Sequence, residues 1–200
     1  MRLFIALNLP ESEREAIHAA TKPLRDAGFP ARWLPAVSLH VTMKFLGEVR
    51  PQHVEGLIGS IEDAAAKTTN FAFALRGFGA FPTLRRPRVL WLGAEATPEL
   101  RCLKHDLEWG LREHGFKREV RSFMPHVTLG RAHAHSGAGD FRQLQNLLEE
   151  IDYSATVHVD TVDLMRSHLL PDGARYEVLE RIRLRASATP PQPAASASGD

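Results

Sequence analysis

Leu39-His40-Val41-Thr42-Met43-Lys44-Phe45-Leu46-Gly47 and Pro125-His126-Val127-Thr128-Leu129-Gly130-Arg131 share one string, His-Val-Thr followed by a large apolar residue. One copy lies in each half of the 200-residue chain. In a β-strand, residues i and i+2 share a face. His40 and Thr42 therefore point one way, while Val41 and Met43 point the other, toward a core. His126 and Thr128 repeat the arrangement. A lone His-x-Thr in a strand is ordinarily a satisfied edge or core residue. Two copies at matching positions of a repeated chain carry more weight. If the halves are related by a pseudo-twofold axis, two His/Thr pairs face each other across a cleft.

The flanking sequence supports such a repeat. Leu3–Leu7 is continuously apolar and reads as a central strand. Pro10-Glu11-Ser12-Glu13 opens a helix that Gly28-Phe29-Pro30 ends. After the strand Leu39–Leu46 and the turn at Gly47–Pro51, Val54, Leu57, Ile58 and Ile61 form a second helical stripe. Phe71, Phe73 and Leu75 alternate as a strand, and Val89–Leu92 forms another after a Phe81–Pro87 loop. The second half repeats this rhythm: a helix from Thr97, an N-cap, to His114 with Gly115 as its stop, then the strand Val127–Leu129. A His133–Gly139 loop and a short helix around Phe141–Leu148 follow. Two long strands, about Ala155–His168 and Arg175–Leu184, flank the turn Pro171-Asp172-Gly173. With helices and strands mixed in both halves and no long linker, residues 1–185 read as one α+β domain built by duplication. Residues 186–200, almost all Ala, Ser, Pro, Thr, Gln and Gly, are expected to be a disordered tail.

Composition narrows the function. Hydrophobic residues make up 44% and charged residues 24%, which excludes disordered, collagenous and membrane-spanning chains. The apolar run after Arg2 ends at Asn8, too short for an export signal, so a cytoplasmic protein is expected. The formal net charge is +1, so contact with nucleic acid must rest on a local patch. The single cysteine, Cys102, makes neither an internal disulfide nor a Cys-based zinc site, and its place beside Leu103 and Leu107 reads as a buried thiol.

Paired His/Thr motifs suit phosphoester chemistry. In-line displacement at phosphorus needs a base on the attacking side and an acid on the leaving side, and imidazole titrates near neutral pH. Threonine hydroxyls donate to non-bridging oxygens as charge builds there. No metal is required. Lys44 shares the His40 face if the strand is regular. Arg131 is five residues past His126, so it joins that face only through a bulge or a strand end. Arg85, Arg86 and Arg88, with Phe81 nearby, form the densest basic cluster and a candidate RNA contact; Arg118 and Arg121 are weaker ones. Trp33 and Phe45 read as core, Tyr176 as either core or base-stacking. His133-x-His135 reads as an exposed loop rather than a metal site.

These motifs resemble those of the two-histidine phosphoesterases. Within that group the chain is similar to the RNA 2′,3′-cyclic phosphodiesterases, also called 2′-5′ RNA ligases. The likeness runs from Arg2 to about Leu184 and includes Arg2–Leu7, Arg32-Trp33, Leu39–Val49, Pro125–Arg131 and Ser167–Leu179. It implies a bilobal LigT-like α+β fold, two pseudo-symmetric lobes with antiparallel sheets lining a central cleft and helices outside. It implies hydrolysis of a terminal 2′,3′-cyclic phosphate to a 2′-phosphomonoester, and the reverse 2′-5′ joining reaction. The resemblance, not the chemistry, assigns His40 as general acid and His126 as general base. Thr42, Thr128 and Arg131 would hold the phosphate, and Lys44, Arg85 and Arg86 are candidate RNA contacts. The implied partner is RNA ending in a 2′,3′-cyclic phosphate, tRNA fragments included, with no cofactor, metal or membrane and a monomeric state. Three other readings stay open: a phosphodiesterase of another small cyclic phosphate or nucleotide such as ADP-ribose 1″,2″-cyclic phosphate, a non-catalytic RNA-end-binding protein, and a metallohydrolase using His133 and His135.

Overall fold

The apolar run at the N-terminus forms β1 (Arg2–Asn8), a central strand with Leu3, Ile5 and Leu7 fully buried on one face. The computed structural model describes residues 1–170 and 173–187. Behind Pro10 comes α1 (Glu11–Ala20), with Glu11 and Glu13 in its first turn, followed by α2 (Lys22–Asp26). A short strand the sequence did not announce, β2 (Ala31–Trp33), precedes β3 (His40–Glu48). The stripe at Val54–Ile61 lies in α3 (Val54–Lys67), which buries Leu57, Ile61, Ala64 and Ala65.

β4 (Phe71–Thr83) and β5 (Arg86–Ala94) absorb most of the stretch read as a loop, because Phe81, Pro82 and Thr83 pair with Val89, Pro87 and Arg86. Thr97 caps α4 (Pro98–Gly110) by accepting from the Leu100 amide at 3.3 Å. A 3₁₀ turn at Leu111–His114 then stops at Gly115, whose φ of +83° falls in the left-handed region glycine tolerates best. β6 (His126–Ala132), α5 (Leu144–Glu150), β7 (Ser154–Val159), β8 (Thr161–Leu170) and β9 (Gly173–Arg183) complete the chain. Pro171 and Asp172, the first two residues of the expected turn, and the tail from residue 188 lie outside the described residues. Ser187, read as part of that tail, hydrogen-bonds to Asn70.

The sheet runs β7-β4-β5-β6-β3-β1-β8-β9, with β2 added beside β6, and its pairings are antiparallel. Its middle is a seam. β3 and β6 meet through one pair, Val41 with Val127, and four strands lie on each side. The two histidine strands are thus the inner strands of two matching half-sheets. The halves are not, however, successive halves of the chain. The stretch read as one strand from Ala155 to His168 breaks at Asp160. β7 pairs with β4 on one outer flank, while β8 pairs with β1 on the other. The apolar positions change phase across the break, from Ala155, Val157 and Val159 to Val162 and Leu164, which marks the change of partner.

One face of this sheet makes the main core. Ile5, Val41, Met43, Leu92, Val127 and Leu129 pack there with Leu57 and Ile61 of α3 and Leu100, Leu103 and Leu107 of α4. A second cluster joins Leu24, Leu90, Phe141, Leu144 and Leu148. With helices against the core face near the seam, His40 and Thr42 are left on the other one.

Candidate active site

Both motifs bend their strands at the same place. Opposite β1, Ile5 pairs with Lys44 and Ala6 with Thr42, so Met43 is an extra residue without a partner. Opposite β5, Leu90 pairs with Gly130 and Trp91 with Thr128, so Leu129 is likewise extra. Each is a β-bulge on the residue directly after His-Val-Thr, and a bulge reverses the facing of every later side chain.

That reversal decides several positions. Arg131 joins the His126 face, as the bulge reading requires. Its counterpart in the first half is Phe45, which is 60% exposed and lines the cleft instead of the core. Lys44 is turned away from His40. It is 3% exposed on the helix side, where its Nζ donates to Glu108 Oε2 at 2.7 Å and to the Lys117 carbonyl at 3.0 Å. The expected place of Lys44 near a phosphate is therefore wrong. Lys104 completes this buried cluster, donating to Glu108, to Glu119 and to the carbonyl of the bulged Met43 at 2.7 Å. It ties α4 both to the bulge and to the segment leading into β6. Burial alone would push the Glu108 carboxyl up. Hydrogen bonds from Lys104 and Lys44 and their charges outweigh that and hold it below the usual carboxylate range.

The cleft occupies about 480 Å³, within the usual range for small-ligand sites, and is lined by His40, Thr42, Phe45, Thr128, Arg131, Arg2, Arg32, Ser167 and Tyr176 among others. His126 sits one residue before the seam pair on β6, as His40 does on β3. In an antiparallel register that makes the histidines diagonal neighbours on one face, regularly about 7–8 Å apart in the backbone. Each ring is oriented in the same way. His40 Nδ1 lies 2.8 Å from the Ser38 carbonyl, and His126 Nδ1 lies 2.8 Å from the Met124 carbonyl. Since a carbonyl only accepts, Nδ1 carries the hydrogen in both rings, leaving Nε2 for chemistry. His40 Nε2 is 3.1 Å from Thr42 Oγ1. These carbonyls stand two residues before each histidine, a matching the bare motif does not reveal.

Aromatic walls enclose both imidazoles. Phe4 and Tyr176 stand 5.0 and 5.2 Å from His40 between ring centres, Tyr176 edge-on. Phe81 lies 5.1 Å from His126, also edge-on, with Trp91 at 6.4 Å. Burial, together with the Arg131 and His126 charges, pushes His40 down to about 4 against the Ser38 hydrogen bond, which opposes the shift. Burial chiefly, and Arg131 after it, lowers His126 as well.

The remaining candidates fall elsewhere. Arg85 and Arg86 are exposed at the turn between β4 and β5, outside the cleft lining. Arg88 donates to the Ala134 carbonyl, and Arg118 lies over the Trp109 ring at 4.5 Å. Trp33 packs partly buried against both core clusters, as expected, and its ring presses so closely on Gly130 that a Cβ there would meet it at 2.8 Å. Cys102 is exposed, not buried, because α4 turns Leu100, Leu103, Lys104, Leu107 and Glu108 inward and position 102 outward. His133 and His135 are exposed, and no three His, Cys, Asp or Glu side chains among the described residues form a metal-holding group. No helix among the described residues is long and apolar enough to cross a membrane.

Residues 10–169 match the 2′-5′ RNA ligase superfamily. The chain belongs to that superfamily. A superfamily relative from Thermotoga maritima, named RNA 2′,3′-cyclic phosphodiesterase, is 34% identical over 180 residues, 90% of this chain and 93% of its own length. Among solved structures, TT0787 of Thermus thermophilus superposes with a TM-score of 0.74 at 31% identity, covering 94% of this chain and all of that one. E. coli LigT complexed with 3′-AMP superposes at 0.71 with 28% identity, covering 92% and 97%. The superfamily's LigT-like α+β fold is therefore the fold of this chain.

Proposed function

We propose that this protein hydrolyses the terminal 2′,3′-cyclic phosphate of RNA to a 2′-phosphomonoester by acid–base catalysis between His40 and His126, without a metal. The observation that carries the reading is the matched pair of motifs at the seam, with both imidazoles held by a backbone carbonyl at Nδ1. Nε2 meets only the Thr42 hydroxyl in His40 and, in His126, no hydrogen-bond partner among the described residues. The activity named for the Thermotoga maritima relative supports the choice of substrate.

His126 Nε2 takes a proton from water, whose oxygen attacks phosphorus. The bond from phosphorus to O3′ breaks, and His40 Nε2 delivers its proton to that oxygen. Thr42 and Thr128 donate to the non-bridging oxygens, and the Arg131 charge offsets what accumulates there. Run backward, with an RNA 5′-hydroxyl in place of water as partner of the cyclic phosphate, the same groups make a 2′-5′ link.

Incubation of the protein with such an RNA in excess chelator tests the proposal. The expected product is the 2′-phosphate isomer at undiminished rate. A 3′-phosphate product, loss of rate with chelator, or turnover of ADP-ribose 1″,2″-cyclic phosphate in preference to RNA would each contradict it.

A further inference from the structure

Arg32 performs no step of this reaction, yet it lines the cleft and stands against a second positive charge. β2 pairs with β6 so that Arg32 lies directly opposite Arg131. Opposed residues of an antiparallel ladder project from the same face, and like charges placed there destabilise the sheet. Both guanidinium groups are exposed, and neither has a hydrogen-bond or ion-pair partner among the described residues. Three hollows meet at this pair: the catalytic cleft, one running past Leu34 and Ala174 to Tyr176, and one running past Trp33 to His133. Their linings include Arg2 and Arg175 as well and, among the described residues, not one Asp or Glu.

A terminal phosphate held by Thr42 and Thr128 already has Arg131 for its charge. The hollow past Leu34 contains Arg32 and Arg131 but neither a histidine nor a threonine of the motifs. A second unpaired guanidinium at its edge fits a second negative charge, outside the reacting centre. In a single RNA strand the next such charge is the phosphodiester joining the terminal nucleotide to its neighbour, and the guanidinium fork matches phosphate oxygens two at a time.

We propose that Arg32 binds the phosphodiester immediately 5′ of the terminal nucleotide, so that the enzyme favours oligonucleotide ends over mononucleoside cyclic phosphates. This rests on the proposed RNA phosphodiesterase reading and extends it to a specificity residue.

The test compares the wild type, Arg32→Ala and Arg32→Lys on three substrates. These are an RNA oligomer ending in 2′,3′-cyclic phosphate, the same oligomer with a neutral methylphosphonate at its last linkage, and a nucleoside 2′,3′-cyclic phosphate. Arg32→Ala is expected to lower kcat/KM on the oligomer by about 10- to 100-fold relative to the nucleoside, chiefly through KM. The methylphosphonate should lower the wild type by a similar factor and Arg32→Ala hardly further, with Arg32→Lys between them. Equal losses on oligomer and nucleoside, or no loss on the oligomer, overturn the assignment of Arg32 while leaving the phosphodiesterase reading intact. A wild type that hydrolyses neither substrate overturns both.

Discussion

His40 is the more enclosed of the two imidazoles, 9% exposed between Phe4 and Tyr176, and enclosure makes its charged form expensive. With His40 pushed down to about 4 and His126 lowered as well, both rings are biased toward the neutral form in the free protein. Two-histidine chemistry needs one ring protonated and the other not. Above both transitions neither carries the proton; below both, each does. The kcat/KM profile is therefore expected to be bell-shaped with its maximum below pH 6.5, its limbs belonging to the pair rather than to either ring. A maximum at or above pH 7 would contradict this coupling. His40→Ala and His126→Ala should each lower turnover by about 10²–10⁴-fold, measured on RNA ending in a cyclic phosphate, with both variants folded by circular dichroism.

At the level of single elements, the two bulges do the positioning. Without the extra residue at Met43, Phe45 would enter the core and Lys44 the cleft; without the one at Leu129, Arg131 would turn away from the His126 face and the cleft. Lys104, through the Met43 carbonyl, and Lys44, through the Lys117 carbonyl, converge on the 7%-exposed Glu108 side chain. Replacing one partner of a buried ion pair leaves the others uncompensated, so Glu108→Ala is expected to cost about 3–5 kcal/mol in urea unfolding. The depressed Glu108 carboxyl makes this contribution present above the ordinary carboxylate range and lost as pH falls through the folded-state value. The wild-type and Glu108→Ala stabilities should thus converge in acid. The His-x-Thr strings made His40, Thr42, His126 and Thr128 legible from period two alone. Lys44 and Phe45 were misread because a bulge is set by partner strands and neighbouring carbonyls, which period two does not encode.

Across the whole molecule, one half-sheet draws on distant parts of the chain and the other, β2 aside, on the continuous stretch from Phe71 to Val159. β1 and β3 are joined by β8 and β9, while β4 to β7 build the opposite flank. The principal core spans both, from Leu3 to Leu184. Neither half of the sequence contains a complete half-sheet. Tryptophan fluorescence and far-ultraviolet circular dichroism are expected to report one coincident unfolding transition in urea, and a fragment ending near Ala94 should not fold. Two separated transitions would argue for independently stable lobes.

Most strands, several helix ends and the duplicated motif, with the residues proposed to react, were readable along the chain, since these follow from local periodicity, caps and residue chemistry. Which strands meet at the seam, where the two bulges turn side chains, and the stand of Arg32 against Arg131 emerged only in the folded molecule. Those depend on pairings between residues far apart in the chain, and a strand's own pattern carries no record of the partner it will find.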